Sequence, residues 1–264
     1  MFSENQNIKS STRRLWTEQE MILALDLYFK LPFGRLNHTT PEVKYLAKII
    51  GRTPDAVAYR LSNYAACDPY IINSGRRGLE GGRDKCMPYW NEFSNDKERL
   101  FVLAAQFKAE LQQISIEESL SIEHINFKGT ERETVIKQRV NQNAFRSMIL
   151  GNYNQTCAVT GINIPQLLIA SHIIPWAHNS EQRLNPENGI CLSPLYDKAF
   201  DIGLIGINTD YRIILSEELR AFYKKDYYQT HFASVENMKI RLPEEHKPDK
   251  SFLEYHLNHV FLKV

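Results

Sequence analysis

The chain is 264 residues long, 43% apolar and 11% aromatic, enough for one large domain or two ordinary ones and too apolar for a disordered tail protein. Its 32 Lys and Arg against 31 Asp and Glu leave a formal charge of +1, so any surface for a polyanion must be a local patch. Four scattered cysteines with no CxxC pair, Cys67, Cys86, Cys157 and Cys191, argue against a disulfide framework and a zinc ribbon.

The opening Met1-Phe2-Ser3-Glu4-Asn5 lacks the basic and apolar runs of a signal peptide, and no stretch approaches 18 apolar residues. The expectation is a soluble, cytoplasmic protein without membrane contact. Residues 1–14 read as a flexible polar lead-in ending in Arg13-Arg14. Trp16-Thr17-Glu18-Gln19-Glu20 then opens a helix, with Thr17 and Glu20 spaced as a capping box. Thr40-Pro41 starts a second helix, capped by the threonine and ended by Gly51, and Thr53-Pro54 starts a third. Helix, glycine turn, helix is the spacing of a helix-turn-helix. Ser74 to Lys85 holds four glycines and four basic residues and reads as a mobile loop. A long helix follows from Asp96 to Gln113, and residues 114–130 read as irregular, with a domain boundary at 130.

From Glu131 a basic helix runs to Leu150. Short apolar runs come next: Cys157-Ala158-Val159, Leu167 to Ala170, Ile190-Cys191-Leu192, Leu204 to Ile207, and Arg212 to Leu215, the last two separated by a turn signal at Asn208-Thr209-Asp210. The second half therefore mixes short strands with helices. His172 ends one apolar run, Asn188-Gly189 opens the next after a loop of about fifteen residues, and Asp197 lies in a segment that starts like a helix. One polar residue from each of these pieces can meet at a common point.

The order Cys-Ala-Val-Thr-Gly (157–161), Ala-Ser-His-Ile-Ile-Pro-Trp (170–176), Asn-Pro-Glu-Asn-Gly-Ile (185–190) and Leu-Tyr-Asp-Lys-Ala-Phe-Asp-Ile-Gly (195–203) resembles the His-Asn-His (HNH) endonucleases. It looks closest to their restriction-endonuclease-like branch. The likeness also takes in residues 139–146 and 252–256 and covers roughly 131–264. The resemblance implies a C-terminal ββα-metal nuclease domain (131–264), which with the helices read over 15–130 gives an α+β fold class with a mainly helical N-terminal domain. It implies that His172 is the general base, that Asn188 holds the loop that orients it, and that Asp197 on the helix is a metal ligand. A carboxylate there suits Mg²⁺ or Mn²⁺ better than Zn²⁺. Two places depart from the family pattern: Ser171 stands where many members carry a second ligand, and the 157–161 segment has one cysteine where zinc-stapled relatives have two, so no structural zinc is expected. His178 reads as a solvated loop residue, Asp201 as fixing a turn, and His256 as packing the tail helix.

Residues 1–66 carry nine basic and six acidic side chains. Arg52, Tyr59, Arg60 and Asn63 are expected on the outer face of the third helix, where side chains read base edges, and Arg76 and Arg77 can clamp phosphates. The expected function is metal-dependent cleavage of double-stranded DNA in a prokaryotic restriction or defence role, by a homodimer with two cutting sites. Two alternatives stand beside it. One is a defence effector whose N-terminal half senses a protein or small-molecule signal, and the other is a DNA-binding regulator with a decayed nuclease half.

Overall fold

The computed structural model describes residues 14–121 and 129–262. Residues 1–13 of the lead-in and 122–128 of the segment before the expected boundary at 130 lie outside the described residues. The helical half opens with α1 (Glu18–Lys30), α2 (Pro41–Ile49) and α3 (Pro54–Ala65). Thr17 accepts from the Glu20 amide while Glu20 reaches back to the Thr17 amide, so both free donors at the start of α1 are satisfied. Thr53 caps α3 through the Ala56 amide. Thr40 does not cap α2: its hydroxyl donates to the Arg35 carbonyl instead, and Pro41 begins the helix unaided. Gly51 ends α2 at φ +64°, as expected of a left-handed stop.

The glycine-rich stretch is not a mobile loop. After α4 (Pro69–Asn73) it lies along α3 and then forms α5 (Arg83–Phe93). Leu79 donates its amide to the Ser62 carbonyl, and a Cβ on Gly78 would fall 2.2 Å from the Ala66 nitrogen. Gly78 thus serves close packing of backbone on backbone, and Gly82 makes room for a side chain, since its Cβ would fall 2.2 Å from Asn63 Oδ1. Next come α6 (Lys97–Gln112), capped by Asp96, and a short α7 (Ile116–Ser119) within the stretch expected to be irregular.

The long α8 (Thr130–Asn152) leads into the second half. There β1 (Ile169–His172) pairs antiparallel with β2 (Gly189–Leu192), α9 (Pro194–Asp201) follows, and β3 (Ile205–Ile207) pairs antiparallel with β4 (Ile213–Leu215). The chain ends in α10 (Glu217–Arg220), α11 (Asp226–His231) and α12 (Lys250–His259). Cys157-Ala158-Val159 forms a turn rather than a strand, closed by the Cys157 amide on the Ile162 carbonyl. The fold class is α+β, with a helical N-terminal region and a C-terminal ββα unit of β1, β2 and α9.

α8 packs on α1 and α6 on one side and on β1 and β2 on the other. Buried side chains of both halves form one continuous apolar cluster through α8, from Leu23 and Leu100 to Ile149, Ile190 and Phe200. No described helix is long and apolar enough to cross a membrane.

Candidate active site

His172 closes β1 directly opposite Gly189 in the β-ladder. A Cβ at 189 would sit 2.3 Å from Ile149 Cδ1 and 2.8 Å from Phe145 Cζ. The glycine therefore does more than turn the chain: it lets α8 come close enough for Phe145 to stack on the His172 ring, centroids 3.6 Å apart and 12° from parallel. Trp176 meets the same ring edge-on at 5.3 Å. Arg183 covers Trp176 with its guanidinium and donates to the Trp176 carbonyl at 3.0 Å.

His172 Nε2 lies 3.1 Å from the Arg183 carbonyl. A carbonyl oxygen only accepts, so Nε2 carries the proton and Nδ1 keeps the lone pair. Burial pushes the imidazole down to about 4, aided by the Arg183 charge and opposed by the hydrogen bond to Arg183. The ring is neutral at pH 7, the form a base needs.

Asn188 is buried beneath the loop that carries Trp176 and Arg183. Its Oδ1 accepts from the Ile174 amide at 2.8 Å, and its Nδ2 donates to the carbonyls of Gln182 and Ile174. One side chain thereby ties the beginning and the middle of the loop to the start of β2.

Asp197 sits half-buried in the first turn of α9. Burial raises its carboxyl, against smaller lowering by Ser171 and Lys198. Asp201, one turn on, is raised by partial burial and by the Asp197 charge. Ser171 is buried, and its hydroxyl acts on Asp197 without reaching full hydrogen-bond geometry there or elsewhere. Side chains alternate along a strand, so Ser171 faces α9 while His172 faces α8. His172 thus ends β1, Asn188 stands just before β2 and Asp197 opens α9, and Ser171, the neighbour of His172 in β1, is the residue through which β1 meets Asp197. No hydrogen bond or ion pair joins His172 to Asp197 among the described residues.

Trp176 and Arg183 also line a polar cleft of 1040 Å³ whose other walls include Lys97, Lys137 and Asn141. The buried Asn141 binds Glu98 through its Nδ2 and leaves Oδ1 unpartnered.

The cation set expected on the third helix is placed differently. Arg60 is 7% exposed and Asn63 0%, so neither lies on the outer face of α3; Tyr59 alone of that group is exposed. Arg52 and Arg60 hold Trp16 between them, at 4.3 and 4.8 Å from its ring, and Arg52 also binds Glu20 at 2.7 Å. Arg76 is paired with Glu245 of the second half. Arg77 is exposed. Asn63, itself 0% exposed, donates to the carbonyl of the exposed Leu79 at 2.6 Å. Asn63→Ala is accordingly expected to cost about 1 kcal/mol of stability in urea unfolding, the net worth of the hydrogen bond it removes, with no change in choice of DNA site.

Several contributors gave no separate sequence signal. Phe145, Trp176 and Arg183 lie within or beside the motif, but only the fold shows that they enclose His172. Cys157 accepts the Ser193 and Thr160 amides on its sulfur, at 3.2 and 3.4 Å. It thereby fastens the 157–161 turn to the start of α9. His256 is buried as expected, stacked on Phe200 at 3.7 Å.

Residues 157–208 match the family model described as HNH endonuclease. No curated protein matches the chain.

Proposed function

We propose that the HNH endonuclease domain carried by this chain hydrolyses DNA phosphodiester bonds with the help of one divalent cation. The observation that carries the reading is His172: neutral, its Nε2 proton held by a carbonyl, its Nδ1 without a hydrogen bond among the described residues, at a strand end inside the matched segment. Nδ1 takes the proton from a water aligned behind the scissile phosphorus. Phe145 and Asn188 keep the ring and its covering loop in place, so the base needs no reorientation. The exposed Lys198 beside Asp197, with Lys97 and Lys137 on the adjoining cleft, supplies positive charge for the phosphate backbone. Arg77 is a further phosphate contact on the helical half.

The residues present fit a magnesium-like ion in one respect. Among the described residues no group of three or more His, Cys, Asp or Glu can hold a metal by itself. Mg²⁺ does not need one, because it keeps several waters and binds through one or two carboxylates plus substrate phosphate. Asp197, whose carboxyl is raised by burial, would hold it, with the unpartnered Ser171 hydroxyl alongside. Such an ion supplies charge neutralisation at the phosphate and the leaving oxygen.

A prokaryotic restriction or defence role, acting on double-stranded DNA as a cytoplasmic homodimer, is the setting that the motif order supports. The deciding experiment is incubation of the full chain with methylated and unmethylated plasmid. Cutting is expected with Mg²⁺ or Mn²⁺ and none with EDTA, and elemental analysis should find no stoichiometric zinc. Cleavage that survives chelation, or one tightly held zinc per chain, would overturn the magnesium-like site.

A further inference from the structure

Leu27 and Leu31 of α1, Leu46 of α2 and Leu150 of α8 line a cavity of 550 Å³ between the helical half and the nuclease half. Its size falls in the range of about 300–1,000 Å³ typical of small-molecule sites, which are mostly apolar with a few placed polar groups. Here those groups are cationic. Lys30 and Lys108 open onto the cavity, and both are held by the one wholly buried carboxylate of Asp26, Lys108 at 2.6 Å. Two ammonium groups share a single negative charge. Arg35, the third cation on the wall, is already matched by Glu42 at 2.7 Å. Among the described residues lining this space, one positive charge is left uncompensated beside apolar surface.

We infer that this cavity binds a small amphiphilic monoanion, its acidic group beside Lys30 and Lys108 and its apolar body against the leucines. A charge-assisted hydrogen bond made out of bulk water is stronger than its neutral counterpart, so the acid group should decide affinity and the apolar body should add to it. The site is separate from the proposed cutting site. It does share α8 with it: Ser147 and Leu150 line the cavity, while Phe145 on the same helix stacks on His172.

The test is calorimetric titration of the full chain with octanoate and with octan-1-ol, two probes of equal apolar length. Saturable one-to-one binding of octanoate is expected, about tenfold or more tighter than the alcohol, as one charge-assisted contact provides. Lys108→Met leaves Asp26 and Lys30 as a neutral pair and should abolish the preference for the acid. Ser147→Trp, at an exposed position on the cavity wall, should block both probes and serves as the deciding variant if Lys108→Met melts early. Absence of saturable octanoate binding, equal binding of the alcohol by the unaltered chain, or octanoate binding indifferent to Ser147→Trp would overturn the inference. Because the readout is heat of binding, none of these results depends on DNA cleavage.

Discussion

His172→Ala is expected to slow DNA cleavage by about a hundred- to ten-thousand-fold, the usual loss for a removed general base, while DNA affinity stays near that of the unaltered chain. The direction follows from the ring's surroundings. Nε2 is committed to the Arg183 carbonyl, so Nδ1 is the atom left to take a proton. Burial keeps the ring neutral, so no population is lost to imidazolium at pH 7. The ring also fills space between Phe145 and Trp176, and its removal costs some packing; a melting curve on the same preparation separates that loss from lost chemistry. The measurement is a paired series of cleavage and gel shift on one set of DNA fragments. A variant that cuts at the unaltered rate removes His172 from the mechanism. Asp197→Ala belongs in the same series. It should stop cutting and leave binding, because its carboxylate is assigned to the cation rather than to the base edges.

What could be read ahead of the fold was local. The Thr17–Glu20 box, the Thr53 cap and the Gly51 stop involve residues within a few positions of one another, and each took the form that its spacing implies. The HNH motif was legible for a related reason: strand end, loop anchor and helix start occur in a set order within about fifty residues. Failures came where distant chain decides. Glycine signals freedom and close approach alike, and nothing near Gly78 or Gly82 tells that α3 will lie against them. The same contact covers Asn63, and Trp16 with α5 covers Arg60. A face that looks polar and outward on the helix wheel is thus enclosed by segments from either side of it. The stacking of Phe145 on His172 was hidden in the same way, since it depends on the absence of a side chain at Gly189, across the ladder.

Asp26→Ala is expected to cost about 3–5 kcal/mol of unfolding free energy, the loss typical when one partner of a buried charge group is removed. Asp26 is 0% exposed in the middle of α1. Burial pushes its carboxyl up, and the Lys108 and Lys30 ammonium groups more than reverse this, holding it below its ordinary value of 3.8. A depressed carboxyl contributes stability that is present above that value and lost as the pH falls through the lower folded value. The contribution is therefore complete at neutral pH, where urea unfolding followed by circular dichroism would measure it. Removing the carboxylate leaves two ammonium groups close together, both partly withdrawn from water, and the burial that already pushes Lys30 down to about 8 would then act without the attraction that offsets it. Replacing all three residues, Asp26→Leu with Lys30→Met and Lys108→Met, should recover most of the loss, since no unpaired charge remains. A single-variant cost below about 1 kcal/mol, the range of an exposed pair, would mean that water reaches Asp26. The lysines would then be ordinary surface cations, and the charge argument for the neighbouring cavity would fall with the buried triad.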